Sequence, residues 1–294
     1  MPELPEVESI RTGLAGILPG QVVKRVEVLN SPRSFPNAES DIKSFLLGSS
    51  VTNVRRRAKV LMIDLDSDYS LVIHLKMTGQ IVFIGDERWA GGHPNDSFVN
   101  NLPDRSTRVK IEFVDGSVLY FNDQRKFGWM KLIPTNQIQE LEFMKKVGPE
   151  PLEESFTSKE FIPRVRRHQN TTIKAAILNQ ETLAGVGNIY ADESLWGAGI
   201  NPATKVRDID DQKLAKLLEE IKTVLQISIN NGGSTYKNYV NANGEKGNYL
   251  AEFARVFRRD GQPCLNCGHV IEKTRVAGRG THFCPICQTQ PKVE

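Results

Sequence analysis

The sequence predicts an α+β chain of several domains, and three observations carry that reading. Short β-rich runs with turn signals between them fill about residues 22–134, helical periodicity fills 158–230, and every cysteine falls near the C-terminal end. A length of 294 residues calls for two or three compact units. Hydrophobic residues at 39% and charged residues at 25% exclude a disordered or fibrous chain. There is no basic start followed by an apolar run, and no apolar stretch approaches a membrane span of roughly 18 residues. The expectation is therefore a cytoplasmic protein with reduced thiols and no membrane partner.

In chain order, Val7, Ile10, Leu14 and Ile17 or Leu18 recur at helical spacing, with Pro5 suited to the first turn and Gly20 as a stop. Six runs then read as strands: VVKRVEV, KVLMIDL, LVIHLKM, QIVFI, RVKIEFV and SVLYF. Turns at Asp66-Ser67-Asp68, Thr78-Gly79 and Asp115-Gly116 separate them. So many short strands suggest a β-sandwich or barrel with the first helix alongside. The Gly-, Asn-, Asp- and Pro-rich stretch from Gly85 to Ser106 reads as a long loop. Residues 136–150 read as a linker, closing a first domain at 135. A helical domain, 151–250, contains IKAAILNQ, ADESLWGAG and DDQKLAKLLEEIKTVLQISI. Its first two helices are joined by Glu181–Asn188, where Gly185 and Gly187 permit a double turn with free backbone N–H groups. A polar stretch, 232–248, reads as mobile, and 251–294 forms a last, strand-like domain.

Cys264-x2-Cys267 and Cys284-x2-Cys287, sixteen residues apart, make the most specific spacing. Two such knuckles on a hairpin place four thiolates around zinc, and disulfides are disfavoured in a reducing compartment. A closed four-thiolate site has no open position for water or substrate, so one structural Zn2+ in a zinc ribbon is expected. Net charge is only +3, and four zinc-bound thiolates would lower it by two. Any attraction to nucleic acid must come from local clusters: Arg55, Arg56, Arg57 and Lys59; Arg164, Arg166 and Arg167; Arg255, Arg258 and Arg259. Each could equally be a solvated face.

Pro2 follows Met1, and a small second residue permits methionine removal. Pro2 and Pro5 can simply set up a helix start. An exposed α-amino group, however, has a reference pKa of about 7.7–8.0, and an adjacent helix N-terminus disfavours its protonation further. A secondary amine attacking a sugar C1′ gives a permanently cationic iminium, which favours base release and elimination of the 3′ phosphate. Glu3 beside it supplies a carboxyl for proton transfer.

MPELPEVE resembles the start of the formamidopyrimidine-DNA glycosylases, and the likeness continues along the chain. Arg57-Ala58-Lys59, His74-Leu75-Lys76-Met77-Thr78-Gly79, Asp123-Gln124-Arg125-Lys126-Phe127-Gly128 and Gly148-Pro149-Glu150-Pro151-Leu152 are similar to successive family motifs. So are Ala184–Glu193 and the cysteine quartet. The resemblance implies an N-terminal β-sandwich, a helix–two-turn–helix domain and a zinc ribbon. It further implies a bifunctional glycosylase and abasic-site lyase of base excision repair, which removes 8-oxoguanine and formamidopyrimidines opposite cytosine in damaged double-stranded DNA. No nucleotide cofactor is implied, and a monomer is the default.

By that resemblance Pro2 is the Schiff-base nucleophile and Glu3 the acid/base group at the sugar ring. Lys59 is the proton donor for β-elimination, and Arg279 grips phosphate and assists δ-elimination. Met77, Arg125 and Phe127 fill the gap left by an everted nucleotide, because removal requires a flipped base. Asn188 should meet phosphate at a helix N-terminus, and Lys174 should lie near phosphates or lesion. His74, and Lys237 in the lesion-capping loop, are further DNA contacts. The chain departs from the pattern at Arg105-Ser106, where many relatives have Lys-His. It departs again at Gln169-Asn170-Thr171-Thr172, which is uncharged; Arg166 and Arg167 could compensate. Two rivals stand beside this reading. An endonuclease VIII-like glycosylase for oxidised pyrimidines is disfavoured by Leu4, and the other rival is a non-catalytic zinc-ribbon DNA-binding protein.

Overall fold

The computed structural model describes residues 2–93, 95–234 and 249–290. Lys237 and most of the 232–248 stretch lie outside the described residues. Contacts divide the chain into two units: Met1–Lys145 with Gly232–Gly247, and Lys146–Asn231 with Asn248–Glu294.

The first unit begins with helix α1, Leu4–Ala15. Antiparallel strands follow: β1 Val23–Val28, β2 Val51–Arg57, β3 Val60–Leu65, β4 Tyr69–His74, β5 Gly79–Ile84, β6 Arg88–Gly92, β7 Thr107–Phe113, β8 Val118–Asp123 and β9 Trp129–Pro134. Helix α2, Glu39–Phe45, lies between β1 and β2. One sheet has the order β1-β7-β8-β5-β6 and the other β2-β3-β4-β9. Leu61, Ile63, Leu71 and Ile73 from one sheet join Ile81, Phe83, Val109 and Phe121 from the other in a single core. Val7, Ile10 and Leu14 of α1 close it, as their helical spacing requires. The arrangement is the expected β-sandwich with a flanking helix.

Two expectations need correction. The Gly85–Ser106 stretch is not a bare loop: it holds β6, and its Phe98 packs with Val82, Ala90 and Tyr120. Arg-Trp-Ala-Gly-Gly lacks the β-branched residues that mark strands. Its glycine has a packing cause, since a Cβ on Gly91 would press into Ile10 and Trp89. Nor is 136–150 an unpacked linker. Ile138, and Met144 of helix α3 (Glu142–Lys146), are buried against Val60, Met62 and Val72. That second contact explains why β3 reads as a continuous apolar run: both of its faces are covered.

The second unit contains α4 Ser158–Arg166, α5 Ile173–Leu178, α6 Asn188–Ala198 and α7 Asp211–Asn230. Helix α7 buries Leu214, Leu217, Leu218, Ile221, Val224 and Leu225 on one stripe. Asp210 caps it by accepting from the Lys213 N–H at 2.7 Å. Strands β10 Glu272–Val276 and β11 Arg279–Phe283 pair through a two-residue turn, Ala277-Gly278, with φ of 51° and 74°. Both positive values suit the right-handed twist of a hairpin.

Candidate active site and nucleic-acid contacts

In the first unit Pro2 and Glu3 are buried at the start of α1. Glu3 is the N-cap, and its N–H donates to Glu6 Oε2 at 2.7 Å. The other carboxylate oxygen, Glu6 Oε1, accepts from the Ser234 N–H at 2.8 Å. Glu6 therefore ties the helix start to the residue from which the 235–248 stretch departs. Sequence reasoning missed that role, although Glu6 stands inside the PELPEVE motif.

Lys59 sits in the two-residue turn between β2 and β3, where Arg57 pairs with Val60 and Ala58 has a φ of 52°. Val60 in turn pairs with His74 across β3 and β4, so the turn brings Lys59 beside His74. Burial, then the charges of Lys76 and Lys59, push the His74 imidazole down to about 3. It is neutral near pH 7, and its Nδ1 accepts the Lys76 N–H at 3.1 Å. The hydrogen therefore resides on Nε2, leaving a neutral donor on that side of the ring.

Met77 belongs to the β4–β5 loop, and Arg125 and Phe127 to the β8–β9 loop. Met77 is 41% exposed and Phe127 54%, which rules out core filling for either. The structure brings all three together. Arg125 Nη1 donates to Met77 Sδ at 3.0 Å, and the guanidinium lies 4.8 Å from the Phe127 ring centroid. Gly79 closes the first loop with its N–H on Leu75 O at 2.9 Å, so tightly that a Cβ there would collide with the same carbonyl.

In the second unit the expectation for Lys174 is corrected. The side chain has no exposure, and Nζ donates to Asp192 Oδ1 at 2.6 Å, Thr281 Oγ1 at 2.8 Å and Gly280 O at 3.0 Å. An ammonium with three donors placed on protein is a fastening for β11, not a free phosphate contact. Asn188 is the first helical residue of α6, with Gly187 as its N-cap, and its Nδ2 donates to Gly280 O at 2.9 Å. Arg279 is exposed at the start of β11. Gln180, which the sequence did not flag, clamps the double turn: Oε1 accepts from Gly185 N–H at 3.0 Å and Nε2 donates to Val186 O at 2.8 Å.

Two neighbouring buried carboxylates of α6 fasten the cysteine hairpin and the segment that leads into it. Asp192 Oδ2 accepts from the His282 N–H at 2.9 Å, in addition to the Lys174 contact. Glu193 Oε1 accepts from Val256 and Phe257 N–H at 2.9 and 2.8 Å, and Oε2 from Arg255 N–H at 2.8 Å. Burial nevertheless raises the Glu193 pKa, against those three backbone hydrogen bonds.

The cysteine quartet closes as the spacing requires, with ligand atoms of Cys264, Cys267, Cys284 and Cys287 all within 4.8 Å of one another. The pairs Cys267–Cys284 and Cys264–Cys287 lie at 3.4 and 3.8 Å. Tetrahedral zinc with bonds of about 2.3 Å needs sulfurs roughly 3.8 Å apart, so the donor set fits the metal. Burial opposes ionisation of Cys264, yet the N–H groups of Cys267 and Asn266 bring its thiol down to about 6. Burial pushes Cys284 up to about 12.

Most of the basic clusters are engaged internally. Arg55 pairs with Asp64 at 2.7 Å, Arg56 with Glu8 at 2.8 Å and Arg255 with Glu220 at 2.7 Å. Arg166, a candidate to compensate for the uncharged 169–172 stretch, is held by Asp211, Val206 O and Ile209 O.

Three family models match in chain order. Formamidopyrimidine-DNA glycosylase N-terminal domain covers residues 1–130, Formamidopyrimidine-DNA glycosylase H2TH domain covers 147–240, and Zinc finger found in FPG and IleRS covers 261–290. The chain belongs to the formamidopyrimidine-DNA glycosylase family. The formamidopyrimidine-DNA glycosylase of Pelotomaculum thermopropionicum is 40% identical over 98% of this chain and 99% of its own. That of Bacillus subtilis is 39% identical over 99% and 100%. Among solved structures, a complex of Lactococcus lactis Fpg with abasic-site DNA aligns with a TM-score of 0.85 at 33% identity. A complex of the wild-type enzyme with N7-benzyl-Fapy-dG DNA has the same TM-score and identity; each covers 98% of this chain and 100% of the other. The chain is thus a DNA glycosylase of base excision repair with the expected three-part fold and one structural zinc. No helix among the described residues is long and apolar enough to cross a membrane.

Proposed function

We propose that this glycosylase excises oxidised purines, 8-oxoguanine and formamidopyrimidines, opposite cytosine in duplex DNA, and then cleaves the strand at the abasic site. The observation that carries the reading is the exposed cluster of Met77, Arg125 and Phe127. Two apolar side chains with an arginine between them replace lost stacking and offer donors to an orphaned base. The Lactococcus lactis relatives were solved on DNA with abasic or Fapy-dG lesions, which supports the same substrate class here.

The chemistry follows from a chain that starts at Pro2. The proline nitrogen, at the positive end of the α1 dipole, attacks C1′ of the everted nucleotide and loses its proton. The N-glycosidic bond breaks and the base leaves protonated. Glu3 gives a proton to the sugar-ring oxygen, which opens the ring and leaves an iminium. That cation acidifies C2′. Loss of its proton expels the 3′ phosphate, and a second elimination expels the 5′ phosphate. Lys59 serves as proton donor in the first elimination. Arg279 and Asn188 hold phosphate, as does the neutral Nε2–H of His74. The zinc supplies a rigid base for the β10–β11 turn, and its four thiolate ligands leave it no place in the reaction. A monomeric state and a cytoplasmic, nucleoid-associated location belong to the same reading.

Excision from otherwise identical duplexes tests it. Turnover of 8-oxoguanine opposite cytosine should exceed that of 5-hydroxyuracil. Faster 5-hydroxyuracil release would transfer the assignment to the endonuclease VIII-like class.

A further inference from the structure

Beneath the exposed Met77, Arg125 and Phe127 lies a carboxylate that none of the reactions above uses. Asp123 ends β8 and has no solvent exposure. Its Oδ1 accepts from the Thr78 hydroxyl, in a short hydrogen bond, and from the Arg125 N–H at 3.1 Å. Its Oδ2 accepts from the Gly128 N–H at 2.6 Å. Thr78 Oγ1 also accepts from the Arg125 N–H, at 3.2 Å. Arg108, 2% exposed, donates from Nε to the Asp123 carbonyl at 2.8 Å and places a buried positive charge beside the carboxylate.

We propose that Asp123 is the positioning residue that sets the gap-filling wedge, and through it the enzyme's discrimination of the base opposite the lesion. The inference rests on the reading of Met77, Arg125 and Phe127 as that wedge. One carboxylate holds both loops: Thr78, next to Met77, on one side, and Arg125 and Gly128, flanking Phe127, on the other. Among the described residues the wedge side chains hold one another through a sulfur contact and a cation–π contact at the surface, which are weak. Their relative position must therefore come from the backbone below, where charge-assisted hydrogen bonds in a buried site are strong. Lys76 and Lys126, one in each loop, have φ of 51° and 59°. Such left-handed residues persist only where the surroundings over-determine them. A wedge whose two halves can slide fills the gap less well and presents its arginine less squarely to the orphaned base, so the choice of partner suffers before the chemistry does.

The two replacements at 123 should differ. In Asp123→Asn the amide oxygen can keep the Gly128 N–H, and the NH2 group can donate to a Thr78 hydroxyl that turns to accept. Asp123→Ala leaves the Thr78 hydroxyl and the Gly128 N–H without their acceptor, and the Arg125 N–H with Thr78 Oγ1 alone.

The test measures excision of 8-oxoguanine opposite cytosine and opposite adenine, with eversion followed by 2-aminopurine fluorescence beside the lesion. Asp123→Ala should cut the cytosine-over-adenine preference by about tenfold and lower the eversion amplitude, whereas Asp123→Asn should stay within about threefold of the parent. The duplex-to-single-strand ratio of borohydride trapping should also fall in Asp123→Ala, because a single strand has no orphaned base to read. Arg125→Ala separates the two levels. If it leaves the preference intact, the wedge reading fails; if it removes the preference and Asp123→Ala does not, only the Asp123 inference fails. Should Asp123→Ala lack a cooperative thermal transition, Thr78→Val decides, and an unaltered preference there overturns the proposal.

Discussion

Met77 and Phe127 in the first unit stand 41% and 54% exposed on loops between strands. In the second unit, Lys174 and Asp192 are wholly buried behind the hairpin that carries Arg279. Both arrangements present an arginine to the surface above a buried carboxylate, and they differ in how much of the local fold rests on the support. In the sandwich the gap-filling side chains are themselves displayed and can be removed one at a time with little cost to the core. In the hairpin the working side chain depends on a metal and on buried charges that never reach the surface. Loss of function should accordingly come with intact folding in the first unit and with local unfolding in the second.

Zinc removal probes that contrast most strongly. Structural zinc contributes on the order of 10 kcal/mol to small thiolate domains. Chelation, or Cys284→Ser, should therefore strip amide-exchange protection from β10 and β11 and abolish DNA binding, while α1 and the sandwich strands keep theirs. Equal loss in both units would erase the distinction. Next in size is Lys174→Met, which leaves the buried Asp192 carboxylate without its ammonium partner, at a cost of about 3–5 kcal/mol. A lower melting temperature, recovered in part by adding Asp192→Leu, is expected. A parent-like melting temperature would show that Lys174 is not the fastening described here. Met77→Ala should lower 8-oxoguanine excision by roughly ten- to a hundredfold with no measurable change in melting temperature. Arg279→Ala should weaken binding to all sequences alike and reduce the salt slope by about one.

The smallest effect concerns pH. Because the His74 pKa is depressed on folding, protonation favours the unfolded chain. Its contribution to stability is fully present above the unfolded value of about 6.5 and is lost as pH falls toward the folded value. His74→Gln should flatten the stability profile of the first unit in that acid window, and an unchanged profile would contradict the burial argument.

Much of this was legible in the sequence, for identifiable reasons. Cys264, Cys267, Cys284 and Cys287 announce themselves because metal geometry dictates their spacing, and α1 and α7 because burial of one face dictates theirs. The strand β6 was hidden because Gly91 answers to its contact with Ile10 of α1 and Gly92 to its approach to the Gly79 carbonyl, and neither carries a strand signal. Lys174 misled because a lysine's partners are distant in the chain: Asp192 is eighteen residues away and Thr281 over a hundred. The same is true of Arg55 and Arg166, whose acidic partners Asp64 and Asp211 turn part of each apparent basic patch into ion pairs. Asp123 was visible as a letter in a motif, but its work lies in converging on two loops, which no linear pattern displays.

The most direct measurement is the site of covalent capture. The enzyme is incubated with an 8-oxoguanine duplex, reduced with borohydride and digested, and the cross-linked peptide is sequenced by mass spectrometry. The deoxyribose remnant should be found on the nitrogen of Pro2 at the start of the chain. A remnant on Lys59 or another lysine, or an adduct formed by chains that still carry Met1, would contradict the account.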